Sequence, residues 1–303
     1  MSNKTKTSTP TNTTSTKPGG GRFGAYYRLT KPGIVYGNAL MAMAGYIFGA
    51  AGISDVSRCI CMLVGVCLVM ASACVFNNVL DRRIDAQMGR TKQREVVIGL
   101  IGVRAALVYG TVLLVVGTAL LGFGTNVLAT STALFGWVAY VAVYGYAKRH
   151  THHSTLVGTI SGATPPVIGY VAATGTFDSA AAVLFLLLVT WQMPHFYAIA
   201  IFRRDDYAAA GLPVLSVTHG VAACRRQIIA YAASFVVVCV LLGWLTQASW
   251  LTAVVIACAG LYWLWLCLQP MKNPAKWARR QFKWSLLTLL IMSMTVSVDG
   301  ILR

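Results

Sequence analysis

Apolar residues in this chain gather into nine blocks of about 20 residues, at roughly 33–52, 59–80, 105–123, 127–147, 155–174, 179–202, 224–246, 250–268 and 284–302. A block of that length crosses the ~30 Å hydrocarbon core of a bilayer. Lipid offers no partner to backbone N–H and C=O groups, so each block must be a helix. The prediction is an all-α, polytopic integral membrane bundle of nine transmembrane helices. Only 11% of the residues are charged, against about a quarter in a soluble domain.

The net charge of +17 points at first to nucleic acid, but its distribution excludes that partner. Counting alternate loops, all but Arg58 and Arg303 of the 25 Lys and Arg residues fall on the side of the N-terminus. That asymmetry predicts a cytoplasmic N-terminus, and assigns the basicity to topology and to contact with anionic membrane lipid. Residues 1–21 are rich in Ser, Thr, Asn, Lys and Gly, with no acidic residue. We read them as a disordered polar tail, followed by a single transmembrane domain over 22–303. The tail has neither an apolar h-region nor an Arg-rich amphipathic pattern. The expected location is therefore a bacterial inner (plasma) membrane, multi-pass, with the charged loops facing the cytoplasm. The eight cysteines lie in spans or at their edges, where packing without disulfides is expected.

Eight acidic residues carry most of the information. Asp55, Asp178 and Asp299 fall near the outer ends of spans, where a solvated role is expected. Asp81, Asp85, Glu95, Asp205 and Asp206 fall on the inner side, after the second and sixth spans. Asn77, Asp81 and Asp85 recur every four residues and share one face of a continuing helix. Carboxylates at that spacing reach one divalent cation or two neighbouring ones, and Mg2+ is commonly held by one or two carboxylates plus substrate phosphates. Arg90, Lys92 and Arg94 follow, and suit phosphate oxygens. The other reading is an i,i+4 ion-paired surface helix. At Phe202–Leu215, Asp205 and Asp206 are adjacent and diverge by about 100° on a helix, so one is a ligand and the other a surface charge. Gly211 and Pro213 then end the helix. With Lys148, Arg149 and His150, these clusters suggest a metal–diphosphate site on one face of the bundle.

These segments resemble the UbiA-type intramembrane prenyltransferase superfamily from about Leu29 to Arg303. They read L-T-K-P-G-I at 29–34, C-V-F-N-N-V-L-D-R-R-I-D at 74–85, M-G-R-T-K-Q-R at 88–94, Y-A-K-R-H-T at 146–151 and D-Y-A-A-A-G-L-P-V-L at 206–215. The haem-directed branch is indicated by G-T-I-S-G-A-T-P-P-V-I-G-Y at 158–170 and W-Q-M-P-H-F-Y-A-I-A-I-F-R at 191–203. The resemblance implies a nine-helix bundle that transfers a farnesyl group from farnesyl diphosphate to a vinyl group of haem B. It implies Mg2+ on Asn77, Asp81 and Asp85, with Asp206 and Asp205 from the second motif. It also implies diphosphate contacts from Arg94, Lys148, Arg149, Lys92 and Arg203. Among these, Asp81, Asp85, Asn77 and Lys148 would carry the catalysis. Implied partners are haem A synthase or a terminal oxidase under assembly. The second motif departs from most of the superfamily in having only two acids.

His195 lies about 12 Å of helix inside Arg203. It either faces the haem pocket or is a neutral core imidazole bonded to a carbonyl that Pro194 frees. His150, His152 and His153 form either a metal-binding cluster or a solvated loop. Pro165 and Pro166 mark unwound backbone beside the substrate or a packing kink. Three Gly-x-x-x-Gly pairs, starting at Gly33, Gly45 and Gly158, predict close helix approach. Two other functions fit the residues. One is prenyl transfer to another acceptor such as a hydroxybenzoate. The second is a proton- or metal-coupled transporter, which would place charge at mid-membrane rather than at one face.

Overall fold

The computed structural model describes residues 21–53 and 55–303; the tail expected over 1–21 lies outside them, Gly21 excepted. Nine described helices are long and apolar enough to span a membrane: Pro32–Ala50, Val56–Asp85, Val103–Gly124, Val127–His150, Ser154–Thr174, Ser179–Phe202, Gly220–Leu245, Trp250–Leu268 and Pro274–Leu302. The protein is an integral membrane protein, and its exposed surface agrees. Val108, Val112, Val115 and Phe123 of the third span all face outward, Phe123 at 96% exposure, an arrangement that suits lipid rather than water.

Apolar content marked the spans well but missed their polar extensions. The second helix begins at Val56 and runs to Asp85, and the ninth begins at Pro274. A short helix, Arg22–Leu29, precedes the first span. Consecutive spans pack as neighbours and the ninth closes the bundle against the first. The sixth span is the most enclosed, with 72% of its apolar window buried against 22% for the third. Its side chains therefore face protein on nearly every side.

Two of the three glycine pairs act as expected. A Cβ on Gly45 would strike the carbonyl of Pro166, and one on Gly169 would strike that of Ala42. The first and fifth spans thus touch backbone to backbone, which only small residues permit. Gly162 likewise abuts the Gln192 amide. Gly33 and Gly37 have nothing within 4 Å and take no part in helix crossing.

The outer acids are more than solvated charges. Asp55 caps the second span by accepting from Arg58 N at 2.9 Å. Asp178 caps the sixth span through Ala180 N and also accepts from Tyr170 Oη at 2.8 Å. Asp299 is 5% exposed and accepts from Ser249 N and Thr252 Oγ1, both at 2.9 Å, while Arg303 pairs with it at 3.1 Å. A carboxylate free of the helix N-terminal amides would leave those donors without partners, which is why acids recur there.

Candidate functional site

The second span stays helical past its apolar part, so Asn77, Asp81 and Asp85 stand in a row at its charged end. They are 4%, 8% and 2% exposed. That burial excludes an exposed ion-pair helix. Each is met by a base from a different part of the chain. Lys31, in the turn before the first span, donates to Asn77 Oδ1 at 2.7 Å. Lys148, at the end of the fourth span, donates to Asp81 Oδ2. Arg94, in the loop after the second span, donates to Asp85 Oδ2 at 2.5 Å. The Arg149 guanidinium lies 3.5 Å from Asp81 Oδ1 and also donates to Leu80 O at 2.7 Å.

Local backbone irregularities position two of these bases. The fourth span widens into a π-helical segment at Ala139–Tyr144, a form often found at functional sites. Tyr140 and Tyr144 stack there at 5.5 Å, and the Lys148 ammonium lies 5.3 Å from the Tyr144 ring centre. Lys31 has a left-handed backbone, φ 54°, immediately before Pro32. For a side chain with a Cβ this costs about 1–2 kcal/mol, and it persists only where surrounding contacts enforce it. Here Asn78 Nδ2 ties Leu29 O at 2.8 Å, and Lys31 itself is tied to Asn77. Burial lowers the Lys31 ammonium to about 8. Sequence reasoning placed Lys31 only among the topology-setting bases. Pro32 is the one local signal of a chain reversal here, and it does not encode a left-handed lysine reaching 46 residues along the chain. Glu95 stays outside this set, because it accepts from Arg28 Nε at 2.6 Å and ties the Arg94 loop to the first short helix.

The second acidic motif resolves into one inward and one outward residue. Asp205 is exposed. Asp206 is half-buried and approaches Gly89, where a Cβ would lie 3.7 Å from Asp206 Oδ1. The loops bearing the two motifs therefore meet, sealed by an apolar cluster of Met88, Ala210, Leu212 and Val214 with Tyr207. Arg203 pairs with Asp206 at 3.6 Å, apart from the Asp81 set. Lys92 is exposed and makes no ion pair among the described residues.

His195 is buried and pairs with a side chain rather than with a carbonyl that Pro194 frees. Its Nδ1 lies 2.7 Å from Ser285 Oγ on the ninth span, and Ser285 Oγ donates to Phe282 O at 2.6 Å. The hydroxyl has one proton and the carbonyl can only accept. Both contacts are satisfied when His195 donates from Nδ1, which leaves Nε2 as the lone-pair nitrogen. The ring stacks on Trp191 at 5.0 Å and meets Phe282 at 4.9 Å. Pro165 and Pro166 sit in the first turn of Thr164–Thr174, after a break at Ala163 divides the fifth span. Proline is tolerated there because first-turn N–H groups lack intrahelical acceptors. His150 stacks on Tyr146, while His152 meets His153 and His219 at 4.0 and 4.5 Å.

The residues present fit a hard divalent cation. Asp81 Oδ1, an acceptor, is buried without a hydrogen-bond partner, at a cost of about 1–3 kcal/mol unless something fills the space. The acceptor atoms that Asn77, Asp81 and Asp85 offer are oxygens, as Mg2+ prefers. Among the described residues no three His, Cys, Asp or Glu side chains converge on one point, so a cation here needs oxygens from its substrate.

The model of the UbiA prenyltransferase family matches residues 38–287. The chain belongs to that family. It is 44% identical over 277 residues to the protoheme IX farnesyltransferase of Edwardsiella ictaluri, covering 90% of this chain and 94% of that one. It is 45% identical over 283 residues to protoheme IX farnesyltransferase 2 of Chromobacterium violaceum, covering 92% and 94%. In fold it is similar to a UbiA homolog from Archaeoglobus fulgidus solved with GPP and Mg2+, with a TM-score of 0.67, 18% identity and coverage of 90% and 99%. Within the UbiA family frame, the row from Asn77 to Asp85 lies at the charged end of the bundle rather than at mid-membrane. That position disfavours the transporter reading.

Proposed function

We propose that the protein transfers the farnesyl group of farnesyl diphosphate to a vinyl group of protohaem IX (haem B), giving haem O and diphosphate. The observation that carries the chemistry is the row of three buried oxygen ligands, each held by a base from a separate segment. The acceptor rests on the 44–45% identity to relatives named protoheme IX farnesyltransferase.

Asp81 and Asp85, with Asn77 beside them and Asp206 from the facing loop, would hold Mg2+. When bound, the ion supplies Lewis-acid neutralisation of the diphosphate. Lys148, Arg149, Arg94 and Lys31 then exchange their carboxylate and amide partners for diphosphate oxygens, and stabilise the charge that grows as the allylic C–O bond breaks. The electron pair leaves with diphosphate. The vinyl group's terminal carbon bonds to the farnesyl C1, water adds to the adjacent carbon, and one proton is released. Tyr140 and Tyr144 stand between the bases and the apolar bundle, where they exclude water from the allylic cation. His195 meets the haem through Nε2. The charged face is cytoplasmic and the membrane is the bacterial plasma membrane; the product serves haem-copper terminal oxidases.

The test is an assay of membranes with haem B, farnesyl diphosphate and Mg2+, reading haem mass. Farnesylated haem that disappears with EDTA, returns with added Mg2+ and is absent in Asp81→Ala is expected. Prenylation of a hydroxybenzoate in its place would overturn the acceptor. Turnover that is indifferent to EDTA would overturn the metal.

A further inference from the structure

The sixth and ninth spans face each other along a stripe that the reaction chemistry above leaves largely unused. On the sixth span Trp191, His195 and Phe202 recur at i, i+4 and i+11, and on the ninth Arg279, Phe282 and Ser285 recur at three-residue steps. Residues at such spacings share one helix face. The stripe is continuous: His195 meets Phe282 at 4.9 Å, and Phe282 meets Phe202 edge-on at 5.7 Å. At its charged end two guanidinium groups converge on one ring. Arg203 lies 5.7 Å and Arg279 5.8 Å from the centre of Phe202. Arg203 shares Asp206 at 3.6 Å. Arg279 is exposed and makes no ion pair among the described residues.

Asp206 already offsets the Arg203 charge at 3.6 Å, whereas among the described residues no carboxylate offsets Arg279, and like charges at one ring repel unless each has an anion beside it. The planar guanidinium fork matches carboxylate geometry in particular. Resting on the haem reading above, we infer that Arg279 and Arg203 bind the two propionate carboxylates of the tetrapyrrole acceptor. The pair is a specificity element that borders the metal–diphosphate site at Asp206. About eight residues, or roughly 12 Å of helix, separate His195 from Arg203. That is the scale of the reach from a porphyrin's metal to hydrogen-bonded propionates. An apolar macrocycle would lie along the aromatic stripe with only its charged edge at the membrane surface. The assignment moves Arg203 from the diphosphate to the acceptor; among the described residues its ion pair is with Asp206 and not with Asp81 or Asp85. The competing source of the same chemistry is the phosphate of an anionic lipid.

Haem B and its dimethyl ester, which keeps the ring and loses both carboxylates, separate these sources. Binding of each is titrated by absorbance, and farnesylation of each is followed, with the protein in zwitterionic nanodiscs with and without anionic lipid. The proteins are wild type, Arg279→Gln, Arg279→Lys and the exposed control Lys276→Gln. Loss of a charge-assisted bond should weaken haem B binding and raise its KM about tenfold in Arg279→Gln. The ester and farnesyl diphosphate should be unaffected, Arg279→Lys should recover part of the loss, and Lys276→Gln should match wild type. An equal loss for haem B and its ester overturns the clamp, as does no loss for haem B. A loss seen only with anionic lipid, and alike for both acceptors, assigns Arg279 to lipid. Failure of wild type to farnesylate either acceptor would count against the proposed reaction, while the binding titration would still decide the clamp.

Discussion

Replacing Asp81 by Asn separates the structural from the chemical role of the buried Asp81–Lys148 pair. The two side chains are 12% and 9% exposed, so water screens little of their attraction. At an effective dielectric constant near 20, unit charges ~4 Å apart attract by about 4 kcal/mol. Removing one partner of such a pair costs about 3–5 kcal/mol, because the other remains buried and uncompensated. Asp81→Asn strands the buried Lys148, while the more exposed Arg149 keeps Leu80 O; Lys148→Met leaves Asp81 with Arg149 at 3.5 Å. The expected order of destabilisation is therefore Asp81→Asn first, at about 3 kcal/mol or more, then Lys148→Met. The double variant should be milder than Asp81→Asn, because no uncompensated Lys148 charge remains. Thermal midpoints in detergent should show this as a fall of roughly 5–10 °C for Asp81→Asn, partly recovered in the double variant. Farnesyl transfer should fall about 100-fold or more in both, since neither has the ligand. Equal midpoints for Asp81→Asn and the double variant would refute the pairing argument. Recovery of turnover in the double variant would refute the role of Asp81 as a ligand.

Three further outcomes follow from the same geometry. Arg94→Gln removes the partner of a 2% exposed carboxylate and should lower kcat/KM about 100-fold. Lys92→Gln, on an exposed side chain, should change it by less than about threefold; equal effects in one assay would dissolve the distinction. Asp206→Asn should impair Mg2+-dependent turnover while Asp205→Asn does not, read as the Mg2+ concentration for half-maximal rate; the reverse order would reassign the second motif. Gly169→Ala pushes a methyl into the Ala42 carbonyl and should cost about 1–3 kcal/mol. Gly33→Ala, with open space around it, should be neutral or gain up to about 1 kcal/mol. A thermal shift of equal size for both would show that the first and fifth spans do not touch as described.

Much of this protein is legible in its sequence because the membrane makes local length and polarity decisive. A 20-residue apolar block has one way to satisfy its backbone in lipid, so nine blocks predicted nine spans. The four-residue recurrence of Asn77, Asp81 and Asp85 likewise placed them on one face, because helix periodicity is a local property. Tertiary contacts decided the rest. The i,i+1 spacing of Asp205 and Asp206 required them to diverge but could not say which points inward; the approach of Asp206 to Gly89 does. His195 is paired with Ser285, 90 residues away, and no local pattern encodes that partner. Lys31 is bent into a left-handed turn by bonds to the second span, against its own backbone preference. Proximity of Arg203 and Arg279 at Phe202 depends on two helices meeting at one register. Backbone hydrogen bonding in lipid is satisfied within each helix and can be read residue by residue, whereas the partner of a side chain depends on which helix faces touch.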